Sequence, residues 1–151
     1  MKKKTLSRPH ERGQSLVELA ISLVILLFLL AGAVEFGIIF FQYVQLRDAV
    51  QEGALYGSIN PNDPAPIELR ARSASDKPID LSDTSLVTIT ISVTDPAGVP
   101  KPDLTTACEG DGLTVHAQFD HQVFMPFMSE FIGNTITLNA EVTDTVLRPV
   151  C

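Results

Sequence analysis

The sequence has only two cysteines, Cys108 and Cys151, and none of its ten prolines lies between Gln14 and Ile59. A metal site would need more ligands than two thiolates, so the pair indicates a disulfide in an oxidising compartment. Proline breaks the interior of a helix, and its absence from such a long stretch therefore permits one uninterrupted helix.

The sequence also lacks the common catalytic motifs: it has no P-loop, nucleophile elbow, HExxH or CxxC. His116 and His121 are five residues apart in one predicted strand, so their side chains point to opposite faces and do not easily share a metal. Glu109 to Gly112 has too few ligands for a calcium loop, and a polar turn is favoured. We expect no enzyme activity, no cofactor, no metal and no catalytic residue.

Charge is missing from one long run. Leu19 to Val34 carry none, and Phe36 to Phe41 continue the apolar run beyond a single acid, Glu35. As a helix, Leu19 to Phe41 is about 34 Å long, enough to cross a bilayer core of about 30 Å. A helix that is apolar on all sides must be surrounded by lipid or protein, which here means the bilayer or copies of the chain.

The charges that remain are divided unevenly. Met1 to Arg12 contain five basic residues and one acid, a balance of +4, and the rest contains 6 basic and 17 acidic residues, a balance of −11. Basic flanks stay in the cytoplasm, so we expect a single-pass inner-membrane protein with its C-terminal part outside. The acidic part should repel nucleic acid, and none is expected as a partner.

The helical period continues beyond the apolar run, from Gln42 to Gly57, and Gly57 before Asn60 and Pro61 is a plausible stop. We therefore predict one helix of roughly 43 residues, about 65 Å long. Its outer half should bury a stripe and expose the residues beside it; these are Tyr43, Leu46, Val50 and Ala54 on the stripe, and Gln45, Arg47, Asp48, Gln51 and Glu52 off it.

Three later segments alternate apolar and polar residues and predict strands: Val87 to Val93, Leu113 to Phe119 and Ile136 to Val142. Strands with one apolar face need a cover, which the stripe on the helix provides. The predicted fold is α+β, with a long N-terminal helix packed on a small antiparallel sheet. The predicted divisions are a leader 1–13, a transmembrane helix 14–41, its extracytoplasmic extension 42–57 and a β-rich domain 58–151.

The segments that connect the long helix and the strands are predicted as a linker, a short helix and a core-filling loop. Ser58 to Pro66 reads as a linker, and Ile67 to Ala74 as a short helix with Asp63 as a distant cap. The apolar segment Val123 to Gly133 is expected to fill the core rather than to line a ligand pocket.

The strand pairing bears on the cysteines. Consecutive strands usually pair antiparallel, so we expect Leu113 to Val123 to pair with Asn134 to Leu147. If Val123 faces Asn134, Cys108 faces position 149, within reach of Cys151 at the chain end. We predict a Cys108–Cys151 disulfide that closes this hairpin.

One acid, Glu18, lies a turn inside the apolar helix, where a carboxylate costs about 2.5–3.5 kcal/mol on insertion scales. It either marks the inner membrane edge by reaching the headgroups, or it has a partner. A basic leader, Gly13, and Glu18 five residues beyond it resemble a type IV prepilin signal. The resemblance implies cleavage between Gly13 and Gln14 by a prepilin peptidase, and pairing of Glu18 with the new α-amine of a neighbouring subunit.

A different processing site is also present. Ala31-Gly32-Ala33 looks like a small-x-small site for ordinary signal peptidase, with Leu19 to Leu30 as its apolar core. The apolar run continues to Phe41, which is longer than such a core should be, so this reading is disfavoured.

Glu35-Phe36-Gly37, followed by Ala49 to Tyr56 (AVQEGALY), resembles the TadE-like family, pilin-like proteins of the tight-adherence pilus system. The resemblance implies a role in pilus assembly, cell adhesion and secretion, with other pilin-like subunits and pilus-assembly membrane proteins as partners. It also implies a place in the membrane or the pilus. On this reading Glu18, Glu35 and Gly37 are assembly residues.

Simpler readings stay open. Glu35 is about 28 Å along the helix from Leu16, and this spacing favours placement at the outer membrane interface over an assembly role. Small residues four apart, such as Ala33 with Gly37, serve either close helix packing or helix ending. The competing function is a membrane-anchored extracytoplasmic binding module that is not built into a pilus, and an enzyme is a remote third.

Overall fold

The computed structural model describes residues 11–125 and 128–148, which are arranged along one helix. This helix, α1, runs from Glu11 to Ile59, 49 residues without a break, or about 73 Å. The prediction of one continuous helix is confirmed. The helix passes the stop expected at Gly57, and the amide of Asn60 still donates to the carbonyl of Tyr56 at 3.1 Å.

A second helix, α2, runs from Pro64 to Arg72. Its N-cap is Asp63, whose Oδ1 accepts a hydrogen bond from the amide of Ala65 at 3.0 Å. Proline at the first helical position is tolerated because its missing N–H has no intrahelical partner anyway. The helix therefore begins three residues before the predicted Ile67, and the linker expected up to Pro66 is shorter than predicted.

Three antiparallel strands follow: β1 (Val87–Thr94), β2 (Gly112–Gln122) and β3 (Thr135–Thr145). Their order in the sheet is β1-β2-β3. The β2–β3 register runs from Gly112 opposite Thr145 to Gln122 opposite Thr135. The amide of Val123 donates to the carbonyl of Asn134 at 3.0 Å, so the register predicted from Val123 facing Asn134 is confirmed.

The core lies between the sheet and the outer half of α1. Alternate residues of β2 are buried, and so are Leu46, Val50 and Ala54 on α1; the β2 residues are Leu113, Val115, Ala117, Phe119 and His121. The predicted α+β fold is confirmed. We call α2 and the three-stranded sheet together the head.

The stripe prediction is wrong at two positions. Tyr43 is 40% exposed, and Gln45, expected outside the stripe, is 6% exposed. The side chain of Gln45 donates to the carbonyl of Ile79 and accepts from its amide, both at 2.8 Å. A polar side chain can be buried when both ends are hydrogen-bonded, which an apolar-periodicity argument does not foresee.

The β2–β3 connection, residues 123–133, was expected to fill the core. This is wrong for three of its described residues, since Phe124 is 58% exposed, Phe131 74% and Ile132 43%, whereas Val123, Met125 and Met128 are half-buried. A one-turn helix, α3, forms within it from Ser129 to Ile132. The connection lies beyond the end of the sheet and contacts the apolar half of α1, with the rings of Phe131 and Phe28 5.4 Å apart.

Candidate assembly and membrane-anchoring site

The first half of α1 has an almost bare apolar surface. Leu19 is 65% exposed, Leu26 61% and Leu29 68%. Among the described residues, α1 is the one helix long and apolar enough to cross a membrane. A surface of this kind is stable in lipid or against another apolar helix, so this half of α1 is suited to a single-pass anchor.

Glu18 lies exposed on that apolar surface. The side-chain amide of Gln14, one turn earlier, donates to Glu18 Oε1 at 3.0 Å. The four ion pairs found within the described residues do not include Glu18. The carboxylate therefore has a neutral local partner and remains accessible. The roles predicted for Gly13, Gln14 and Glu18 in processing and assembly stay predictions.

Glu35 is buried against the head, with an exposure of 1%. Its Oε1 lies 2.8 Å from Nε2 of His121, the last buried residue of β2. The same carboxylate accepts from the amides of Phe124, at Oε1, and Met125, at Oε2, both at 3.3 Å. One acid of α1 thus holds both the end of β2 and the start of the β2–β3 connection.

The placement of Glu35 at the outer interface is not tested by this contact and stays a prediction, but the structure adds a partner that was not predicted. Sequence spacing gives its height along the helix but not what packs beside it. A signal for its partner was available, because His121 continues the alternation that buries Ala117 and Phe119 in β2. The assembly role predicted for Glu35 is not tested by this contact and stays a prediction.

The small residues of α1 differ in what surrounds them. A methyl group added at Gly37 would meet nothing within 4 Å, so this position is open to a partner helix. At Gly57 an added Cβ would lie 2.7 Å from Leu113 Cδ2, and at Gly53 it would lie 3.1 Å from Ala71 Cβ. The outer glycines therefore allow α2 and β2 to approach α1 closely, and Gly57 is not a helix stop.

The acidic turn before β2 is held by its own residues. Asp111 is 2% exposed, pairs with the Lys101 ammonium, and accepts from the amide of Cys108 at 2.7 Å. The hydrogen bond from Lys101, followed by that from Cys108, lowers the pKa of Asp111 from its ordinary value. The carboxylate thus serves the turn, in keeping with the polar-turn reading.

The predicted disulfide involves Cys151, which lies outside the described residues, so the pairing stays a prediction. The surroundings of the other cysteine, Cys108, are described. The amide of Gly110 donates to the carbonyl of Val146 at 2.9 Å, and that of Val146 to the carbonyl of Asp111 at 2.8 Å. These bonds bring the chain after β3 next to the segment that contains Cys108.

A helix that is apolar and long enough to cross a membrane in its first half, and that carries a small antiparallel sheet on its second half, defines an α+β protein of pilin-like layout. Residues 13–55 match the family model of TadE-like proteins, so the resemblance seen in the sequence is confirmed for this segment. The match covers most of α1 and ends before the head begins. No curated protein and no solved structure matches the chain.

Proposed function

We propose that this chain is a minor pilin or pilus-assembly component of a tight-adherence pilus and acts by helix–helix assembly. The observation that carries the proposal is an accessible acid, Glu18, on the bare apolar half of a TadE-like helix. A carboxylate in an apolar environment is strongly stabilised by an opposite charge. The α-amine of a neighbouring subunit, processed at Gly13, supplies that charge.

We further propose that the N-terminus is cytoplasmic and the head extracytoplasmic. The support is the charge asymmetry, +4 up to Arg12 and −11 beyond it. Its partners are other pilin-like subunits, pilus-assembly membrane proteins, a prepilin peptidase and the bilayer.

The proposed role is not enzymatic. Five polar residues are buried among the described ones and are hydrogen-bonded in structural contacts: Glu35, Gln45, Ser58, Asp111 and His121. The one buried side-chain polar atom without a partner in this part of the chain is Gln42 Oε1. These five residues are used in structural contacts, and the proposal assigns the function to the surface of the helix.

The mature chain is expected to begin at Gln14, because the basic leader, Gly13 and Glu18 have prepilin spacing. The measurement is mass spectrometry of the N-terminal peptide from membrane and sheared-pilus fractions, in a strain with and without the prepilin peptidase. A chain that begins at Val34 would instead support secretion by ordinary signal peptidase. An intact Met1 in the peptidase-positive strain would support the anchored binding module.

Replacing Glu18 with glutamine should leave insertion intact, since it removes a charge that costs about 2.5–3.5 kcal/mol in the membrane. Crosslinking between subunits should fall by about tenfold or more, a loss of roughly 1.4 kcal/mol or more of pairing. Glu52→Gln, on the part of α1 that faces the head, is the matched control and should crosslink as the unaltered chain does. Unchanged crosslinking in Glu18→Gln would contradict the assembly role.

A further inference from the structure

The β2–β3 connection reaches down the helix towards its apolar half. Its first residues contact Glu35 through the amides of Phe124 and Met125. Its α3 end contacts Phe28 through Phe131, seven residues lower on α1. Seven residues of helix correspond to about 10 Å. The connection therefore covers one side of α1 within the stretch predicted to span the membrane.

The outer surface of this connection is mainly apolar, although Glu130 beside Phe131 is also exposed. Phe124, Phe131 and Ile132 expose 58%, 74% and 43% of their surfaces. Between Val123 and Gly133 the sequence has one charged residue, Glu130, and no lysine or arginine. Large apolar side chains that are exposed together on one short connection indicate a surface that is covered by a partner or a membrane.

The backbone of the connection is prepared for an apolar environment, in which an unpaired amide costs several kcal/mol. Glu35 accepts the amides of Phe124 and Met125. The amides of Met128, Phe131, Ile132 and Gly133 donate to carbonyls within the connection at 3.0–3.3 Å. The amide of Val123 donates to the carbonyl of Asn134, in the adjoining β-hairpin. Glu35 thus satisfies the amides that the end of β2 leaves unpaired.

We propose that the described part of this connection, Phe124 with Met128 to Ile132, is a lipid-docking surface that enters the outer leaflet beside α1. The proposal rests on α1 spanning the membrane. With Leu16 at the inner edge, Phe28 lies about 18 Å along a hydrocarbon core of about 30 Å. Phe131, in contact with Phe28, is then about 12 Å below the outer edge.

Lipid is the proposed occupant because the connection lies at a height on α1 where the bilayer would surround the helix, and a second copy of the chain is the alternative that the test separates. Leu27 and Leu29, beside Phe28, are 53% and 68% exposed, so the lipid-facing surface of α1 continues onto Phe131 and Ile132. The same bilayer that covers α1 at this height therefore reaches the connection. Docking would seat the head on the membrane surface at a fixed height.

The test uses tryptophan fluorescence, since the sequence has no tryptophan of its own. Three single-tryptophan variants of the full chain are reconstituted in phosphatidylcholine vesicles with or without brominated acyl chains. Phe131→Trp probes the connection, Leu26→Trp probes the spanning half of α1, and Leu69→Trp, on an exposed position of α2, is the aqueous control.

We expect brominated lipid to quench Phe131→Trp and Leu26→Trp by at least about twofold, with both emissions shifted to the blue. Iodide added outside the vesicles should quench Leu69→Trp only. Quenching of Leu26→Trp but not Phe131→Trp by brominated lipid overturns the docking surface and leaves the anchor intact. If Phe131→Trp is quenched neither by brominated lipid nor by iodide, a second copy of the chain covers it instead. Failure to quench either variant would contradict the anchor itself.

Discussion

Replacing Glu35 with alanine is expected to lower the free energy of unfolding of the head by about 3–5 kcal/mol. The substitution leaves the His121 ring nitrogen and the amides of Phe124 and Met125 without their acceptor, in a buried position. Glu35→Gln keeps one acceptor oxygen but turns an amino group towards a donor, so its loss should be smaller. Hydrogen exchange of peptides from β2 and β3, in the detergent-solubilised full chain, measures both changes.

The matched control is Glu52→Ala, the same substitution on the same helix. Glu52 pairs with Arg70 at 3.3 Å, with side-chain exposures of 46% and 58%. Exposed pairs contribute about 0–1 kcal/mol, so exchange from the sheet should hardly change. Equal, small effects of Glu35→Ala and Glu52→Ala would show that the buried contact does not hold the head on α1.

Replacing Gln45 with alanine should cost about 2–4 kcal/mol. The change leaves both the amide and the carbonyl of Ile79, a buried residue, without their side-chain partner. The amide of Ile79 should then exchange about 30- to 1,000-fold faster, since each 1.4 kcal/mol is a factor of ten. Gln51→Ala, at an exposed position on the same helix, is the control and should stay within about 0.5 kcal/mol. Unchanged exchange at Ile79 would contradict the structural role of Gln45.

The backbone framework could be predicted from the sequence because it follows from periodicity and chain connectivity. The absence of proline predicted the continuity of α1, and alternation predicted all three strands. Assuming that Val123 faces Asn134 was enough to set the register from Gly112 to Gln122. These features depend on residues near one another in the chain or on strands that follow each other directly.

The candidate site could be predicted only in part, because its contacts join distant residues. Glu35 and His121 are 86 residues apart, and Gln45 and Ile79 are 34 apart. A buried polar residue looks like a surface residue until its partner is known. The connection after β2 was misplaced for a related reason: apolar side chains indicate burial, but not whether protein or lipid supplies it.

Because α1 is unbroken, the helix and the head packed on it reorient together. Glu35, which contacts the end of β2, lies twenty-four residues before Ile59, the last residue of the helix. This stretch spans about 36 Å. No hinge interrupts α1 between those points, and the head is packed along it. A change of about 20° in helix tilt, of the size found among membrane helices, would carry Ile59 sideways by about 12 Å. If α1 spans the bilayer as proposed, a reorientation of the helix would therefore reach the outer end of the head as an enlarged displacement.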